Sequence, residues 1–277
     1  MYAYKNTAVT LLCGWALFMT QITAASETEN KQQVRLRLHV VFNNVPYRAG
    51  LVTSWGFACL IEGLGKTVLF DTGGDGNILL SNMQQLGLDA DAVEVVVLSH
   101  IHSDHTGGLD TFLTRNPDVT VYIPESFPAS FRHDVEHLGA AIEMVSGPRR
   151  LLDGVYSTGE MNHGIKEQAL IVDTPLGLIV MMGCAHPNVA DMAEQAQAYL
   201  DKNTYLLMGG FHLGGSSDAE IRAIIKRLKA LGVEKVAPSH CTGDNAIHMF
   251  REEWQEDFIE GGLGAVIEVS WPPASVD

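Results

Sequence analysis

Apolar and polar positions alternate over residues 34–41, which sets Val34, Leu36, Leu38 and Val40 on one face of a predicted strand. Two further strands are predicted at 51–62 and 67–70, broken by the turn Gly63-Leu64-Gly65-Lys66. The pattern turns helical over 77–86 and stops at Gly87. Residues 93–98 are almost continuously apolar, as in a strand covered on both faces. A helix is predicted to begin near Thr106, and residues 119–123 form the next strand. The second half alternates in the same way, with strands at 151–157, 168–173 and 177–182, a helix at 189–200 and a strand at 205–208. An amphipathic helix follows at 219–231, capped by Ser217 or Asp218. Short strands at 235–237 and 265–269 flank a helix at 245–254. No long polar linker interrupts the alternation, which predicts a layered α/β architecture in one domain.

The first 25 residues differ from the rest. Lys5 is their only charge, residues 8–19 are mostly apolar, and Thr23-Ala24-Ala25 offers small residues for cleavage. Residues 1–25 are therefore expected to be a secretory signal, with a mature domain over 26–277 that starts at Ser26. The apolar run falls short of the about 20 residues that span a bilayer. Cys13 lies too early and lacks preceding small residues for a lipid-anchored reading. The expectation is a periplasmic or secreted protein with no stable membrane anchor after cleavage.

Charge narrows the partners. With 33 acidic and 18 basic residues the chain carries a formal charge of -15, a surface that repels nucleic acid and anionic lipid. A small-molecule substrate is the expected partner; nothing bears on oligomeric state. Beyond the leader three cysteines remain, Cys59, Cys184 and Cys241. That is too few for a disulfide scaffold; one bridge is possible, and three buried thiols are expected.

The decisive segment is Ser99-His100-Ile101-His102-Ser103-Asp104-His105-Thr106-Gly107-Gly108, directly after the apolar run 93–98. Three histidines and an aspartate within six residues are hard to place as packing. Imidazole and carboxylate are the common nitrogen and oxygen ligands of zinc and similar ions. In a loop, His100 and His102 can point to one side while Asp104 and His105 reach a second position. The remaining histidines carry less. His39 is out of phase with its strand's apolar face and expected to be exposed. His133, His137 and His248 sit near acids on expected solvated surface, and His163 lies in a predicted loop that can border the pocket. Cys184 and Cys241 flank histidines and are expected to pack behind them.

At these residues the chain resembles the metallo-β-lactamase-fold superfamily, whose first ligand motif is His-X-His-X-Asp-His after an apolar strand. Other landmarks follow in that family's order. Leu69-Phe70-Asp71-Thr72-Gly73 matches a strand-end motif whose aspartate supports the ligand loop; Gly183-Cys184-Ala185-His186 matches a later single-histidine motif; Ser239-His240-Cys241-Thr242-Gly243 matches the final one. Gly209-Gly210-Phe211-His212-Leu213, His240-Cys241-Thr242-Gly243 and Ser54-Trp55-Gly56-Phe57 are similar to the dihydropterin ribofuranosyl-aminobenzene phosphate synthase-like branch. That branch is named for a condensation step in methanopterin biosynthesis.

The resemblance implies a four-layer αββα sandwich. It implies one or two transition-metal ions, zinc first and iron or manganese as alternatives, on His100, His102 and His186 and on Asp104, His105 and His240. Two such ions sit about 3.5–4 Å apart and share a water. Asp71 is implied to hold the ligand loop, and Asp104 to orient the attacking water. The chain departs from the pattern in one place. Family hydrolases put a bridging aspartate just after the strand that here is 205–208, where this sequence has Gly209, Gly210, Phe211 and His212. His212 is expected to take over as a ligand or proton donor, against the alternative of a structural histidine.

A metal on neutral imidazoles lowers the pKa of its water to near neutrality and polarises a carbonyl or phosphoryl oxygen. Hydrolysis of an ester, lactone, amide or phosphoester all fit. The rivals are a dihydropterin-type transferase, in which the metal activates a leaving diphosphate, and a non-catalytic metal-binding protein. Export weighs against the first rival, and the intact ligand set with its supporting aspartate weighs against the second.

Overall fold

The computed structural model describes residues 34–272. The expected leader at 1–25 and the Ser26 start lie outside the described residues. Strands β1 (Val34–Asn43), β2 (Phe57–Glu62), β3 (Val68–Phe70), β4 (Val95–Val97), β5 (Thr120–Pro124) and β6 (Ala141–Val145) build the first sheet. Helices α1 (Gly76–Gln85), α2 (Ser103–Thr106), α3 (Leu109–Arg115) and α4 (Ala129–His137) connect them. β7 (Arg149–Leu152) and β8 (Val155–Ser157) open the second sheet, and β9 (Met161–His163) with β10 (Ile165–Glu167) forms a separate hairpin. β11 (Leu170–Thr174), β12 (Gly177–Met182), β13 (Thr204–Gly210) and β14 (Lys235–Ser239) complete the second sheet, with helices α5 (Val189–Leu200), α6 (Asp218–Ala230) and α7 (Asp244–Trp254). The last strand, β15 (Val266–Trp271), returns to pair antiparallel with β1. The first sheet runs β15-β1-β2-β3-β4-β5-β6 and the second β14-β13-β12-β11-β8-β7.

The burial pattern shows why the elements stack as four layers. In β4, Val95 and Val97 face a core shared with Leu170, Val172, Ile179, Met181, Leu206 and Met208 of the other sheet. Val96 and Leu98 face the opposite way, against Leu79 and Met83 of α1 and Phe112 of α3. Both faces are covered, as the unbroken apolar run requires. The second sheet does the same: Ile171, Val180 and Leu207 pack on α5, α6 and α7 through Ala193, Ile221 and Phe250. Helix α6 begins with a reciprocal capping box between Ser217 and Glu220.

Several expectations change. Residues 51–56 are a loop, since the N–H and carbonyl of Val52 are taken by the side chain of Asn82 from α1 instead of a neighbouring strand. Residues 151–157 are the hairpin β7–β8, turned at Gly154 with φ 72°. Helix α4 and strand β6 escaped the pattern because each buries little; Val135 is the buried residue of α4, and Val145 that of β6. His39 is buried, not exposed. The second face of β1, exposed at Arg35 and Arg37, is covered from His39 onward, and the His39 ring bonds to the Glu62 carboxylate at 2.9 Å. His163 ends β9 rather than lying in a loop, and its side chain lies outside those described. His133 and His248 are solvated, as their acidic surroundings predict. Among the described residues no helix is long and apolar enough to cross a membrane.

Candidate metal centre

Parallel strands of both sheets deliver their carboxyl ends to one place. β3 ends at Asp71, β4 leads into Ser99-His100, β12 into Gly183-Cys184, and β14 into His240. Such strand ends are where layered α/β folds hold ligands. His102 is the residue before α2, so half of the motif is a helical turn rather than an open loop. Backbone strain marks the same region. Among the described residues, seven non-glycine residues have positive φ, and Asp71, Ala185, Asn188, His212 and His240 lie in or beside the ligand loops.

Asp71 ties the first loop together. Its Oδ1 accepts from the Ser99 N–H, and its Oδ2 accepts from the Ser99 hydroxyl and the His105 ring Nδ1, each at 2.7 Å. Ser99 Oγ in turn takes the His100 Nδ1 at 2.8 Å. The second loop approaches so closely that a Cβ on Gly183 would lie 2.1 Å from Ser99 Oγ. Here Glu167, which the sequence did not single out, does for His186 what Asp71 does for His105. Fully buried at the end of β10, it accepts from the backbone N–H of Cys184, Ala185 and His186 and from His186 Nδ1, all at 2.9–3.0 Å. Asn44 completes the set, its Oδ1 2.7 Å from His240 Nδ1. Four rings therefore have Nδ1 satisfied from outside and Nε2 turned inward, the arrangement that fixes a ligand tautomer.

The inward atoms crowd together. His100 Nε2 is 3.2 Å from His102 Nδ1, and the His186 ring centroid lies 4.6 and 4.9 Å from those of His100 and His102. Asp104 Oδ2 lies 3.5 Å from His105 Nε2 and 3.3 Å from His240 Nε2. Ligands held about 2.0–2.2 Å from a tetrahedral ion stand about 3.3–3.6 Å apart, so the Asp104, His105 and His240 atoms match the spacing that an ion requires, and the 3.2 Å between His100 and His102 falls just short of it. His240 Nε2 is buried and has no hydrogen-bond partner, an atom left for something outside the chain's own bonding. The donor set fits zinc, iron or manganese by chemistry.

Charge follows the same plan. Burial resists ionisation of Glu167, but the His186 ring, His100 and the backbone donors hold its carboxyl well below the usual range. Burial likewise opposes charge on Asp104, and the His105 and His240 rings overcome it. Burial pulls His100 down to about 2, keeping its ring neutral. His105 is the exception: burial draws it down but Asp71 and Asp104 carry it up to about 10, so an ion taking its Nε2 must displace a proton.

A family model described as the metallo-beta-lactamase superfamily matches residues 56–189. The 7,8-dihydropterin-6-methyl-4-(beta-D-ribofuranosyl)-aminobenzene-5'-phosphate synthase of Methanocaldococcus jannaschii is 30% identical over 271 residues, spanning 80% of this chain and 92% of that protein. The chain belongs to the metallo-beta-lactamase superfamily. A solved metal-dependent hydrolase of the beta-lactamase superfamily is 27% identical, with a TM-score of 0.74 over 85% of this chain and all of that one. A diphosphatase from the PhnP family shares the fold at 15% identity, with a TM-score of 0.58 over 87% of this chain and 99% of that one.

Within that superfamily fold, the structure brings His100, His102, Asp104, His105, His186 and His240 together, with Asp71 behind them. His212, expected as a ligand or a proton donor, stands apart from the other six. The ring is exposed, stands 4.5 Å from that of His186, and is grouped with the thiols of Cys184 and Cys241 rather than with Asp104, His105 and His240. Its backbone φ is 53°. Cys59, Cys184 and Cys241 are free buried thiols, but Cys184 faces the ligands instead of packing behind them, with Sγ 3.3 Å from His105 Nε2. Three clefts open here: about 380 Å³ beside His186, His212 and Ile224, about 400 Å³ between Trp55, His212 and Cys241, and about 530 Å³ past Asn44, Trp55 and His240. Their linings include no lysine or arginine. A cleft of about 460 Å³ by Met83 and Arg115 holds none of the ligand residues.

Proposed function

We propose that the protein is a metal-dependent hydrolase of a small-molecule ester, lactone, amide or phosphoester, with zinc as the expected metal. The observation that carries this is the inward convergence of oriented imidazole Nε2 atoms and the Asp104 carboxylate, with His186 and His240 of that set lining open clefts. Bound ions would polarise the scissile group and lower the pKa of water there. The chain's own part is positional. Asp71 and Glu167 hold the rings of His105 and His186, Asp104 brings its carboxylate to His105 and His240, and the exposed His212 ring would hand a proton to a departing group. Trp55, 58% exposed and 4.8 Å from the His240 ring, offers a flat apolar wall to a substrate.

A dihydropterin-type transferase is the second reading, favoured by the named relative. The absence of lysine and arginine from the three cleft linings weighs against it, because a diphosphate would find no side-chain clamp there. Metal-replete protein assayed on lactone, phosphodiester, carboxylester and thioester panels in ¹⁸O-labelled water tests both. Label in the product supports hydrolysis; transfer to an amine acceptor without label sinks it in favour of the synthase reading. Export is part of the proposal, supported by the leader-like residues 1–25. Mass spectrometry of exported protein should find a chain starting near Ser26; one retaining Lys5 and Trp15 refutes export by cleavage.

A further inference from the structure

Cys184 sits inside the ligand cluster. Its Sγ lies within 4.8 Å of the ligand atoms of Asp104, His105 and His240 on one side, and within 4.8 Å of those of His100 and His186 on the other. We propose that Cys184 is itself a metal ligand. Its thiolate would complete the Asp104–His105–His240 set while staying within reach of His100 and His186, and this chain has no carboxylate just after the strand 205–208 to do so. The proposal rests on the reading of this site as a metal centre.

Distance supports the assignment first. A sulfur about 2.3 Å and a nitrogen about 2.0–2.1 Å from one tetrahedral ion are about 3.5 Å apart, and the Cys184 Sγ to His105 Nε2 separation is 3.3 Å. Together with the 3.5 and 3.3 Å spacings from Asp104 Oδ2 to His105 and His240, the four atoms outline a closed donor set. His240 Nε2, buried without a hydrogen-bond partner, is part of that outline.

The neighbouring strand explains why the ligand comes from β12. At the end of β13, a Cβ on Gly210 would stand 2.3 Å from the Gly183 carbonyl oxygen and 2.7 Å from Cys241 Sγ. That position has no room for a carboxylate side chain. Cys184, on the adjoining strand end, is fixed by its N–H to Glu167 Oε1 at 2.9 Å, the same carboxylate that orients His186. Cys241 is not equivalent, because its thiol points to the Cys184 carbonyl at 3.7 Å and groups with His212 instead of Asp104 and His105.

Coordination breaks the S–H bond, releases that proton to solvent and forms a metal–sulfur bond. It would leave one negative charge on sulfur within the donor set. Cobalt(II)-loaded protein reads this directly. The unaltered protein should show a near-ultraviolet thiolate-to-cobalt charge-transfer band, Cys184→Ser should lose it, and Cys241→Ser should keep it. Zinc-edge X-ray absorption of the unaltered protein needs no variant and should find sulfur at about 2.3 Å. An ion-loaded protein with no sulfur neighbour overturns the proposal, as does a charge-transfer band that survives Cys184→Ser. Both readouts report the ions' neighbours and not turnover. Hydrolysis without a sulfur ligand therefore sinks this inference alone, and a sulfur-bound ion without hydrolysis sinks the proposed function alone.

Discussion

Replacing Glu167 with Gln tests whether the buried carboxylate, and not merely its shape, sets the His186 ring. Glu167 accepts four N–H groups: those of Cys184 and Ala185 at Oε1, and the backbone and ring of His186 at Oε2. An amide of the same size offers one acceptor oxygen and one NH₂ donor. Either way round, its NH₂ meets two N–H donors, or it forces His186 to the tautomer with Nε2 protonated, which cannot bind an ion. Hydrogen bonds to a charged group contribute about 1.5–3 kcal/mol each, so losing two costs at least about 3 kcal/mol. For a domain of this size 1 kcal/mol moves Tm by about 2–4 °C, which gives a fall of about 6–12 °C. Removing a ligand's orienting partner typically weakens metal binding by about 10–100-fold. Calorimetry on metal-free protein and competition against a chromophoric chelator read the two effects separately. A Glu167→Gln protein with Tm within about 2 °C of the parent and unchanged affinity for the first ion would refute the reasoning.

Three further outcomes follow from the same geometry. His212→Ala should leave both ions and Tm in place while kcat falls by about 10²–10⁴-fold, the usual worth of a proton donor; loss of an ion in metal analysis would contradict its rim position. Gly210→Ala should lower Tm, because overpacking at a site where a Cβ meets the Gly183 oxygen at 2.3 Å costs about 1–3 kcal/mol or more; an unchanged melt would show that the strand ends can part. Stripping metal with a chelator should abolish turnover and lower Tm, since an ion present at about 100 times its Kd adds about 2.7 kcal/mol; a melt indifferent to chelator argues against ions at this site.

The ligands and the groups that orient them were unequally legible in the sequence, for a physical reason. One strand end and one helical turn suffice to present His100, His102, Asp104 and His105 to a common point, so these residues appear as a local cluster. The apolar runs of β4, β12 and β13, buried on both faces, made the layered α/β alternation legible, while the four-layer sandwich followed only from the family resemblance. Asp71 was readable only through the resemblance, which its strand-end Asp71-Thr72-Gly73 carries. Glu167 and Asn44 were not. Each meets its histidine across the fold, 19 and 196 residues away in sequence, and their surroundings, Lys166-Glu167-Gln168 and Asn43-Asn44-Val45, carry no local signature. The one available hint for Glu167 was an acid just ahead of the apolar stretch that became β11. Cys184 was visible as a neighbour of His186, but its direction depends on the turn at Ala185, where φ is 57°. An imidazole that binds an ion through Nε2 must point Nδ1 away from it, into the surrounding fold. The partner of Nδ1 therefore tends to come from another element, and a sequence that displays its ligands in one motif scatters the residues that hold their tautomers.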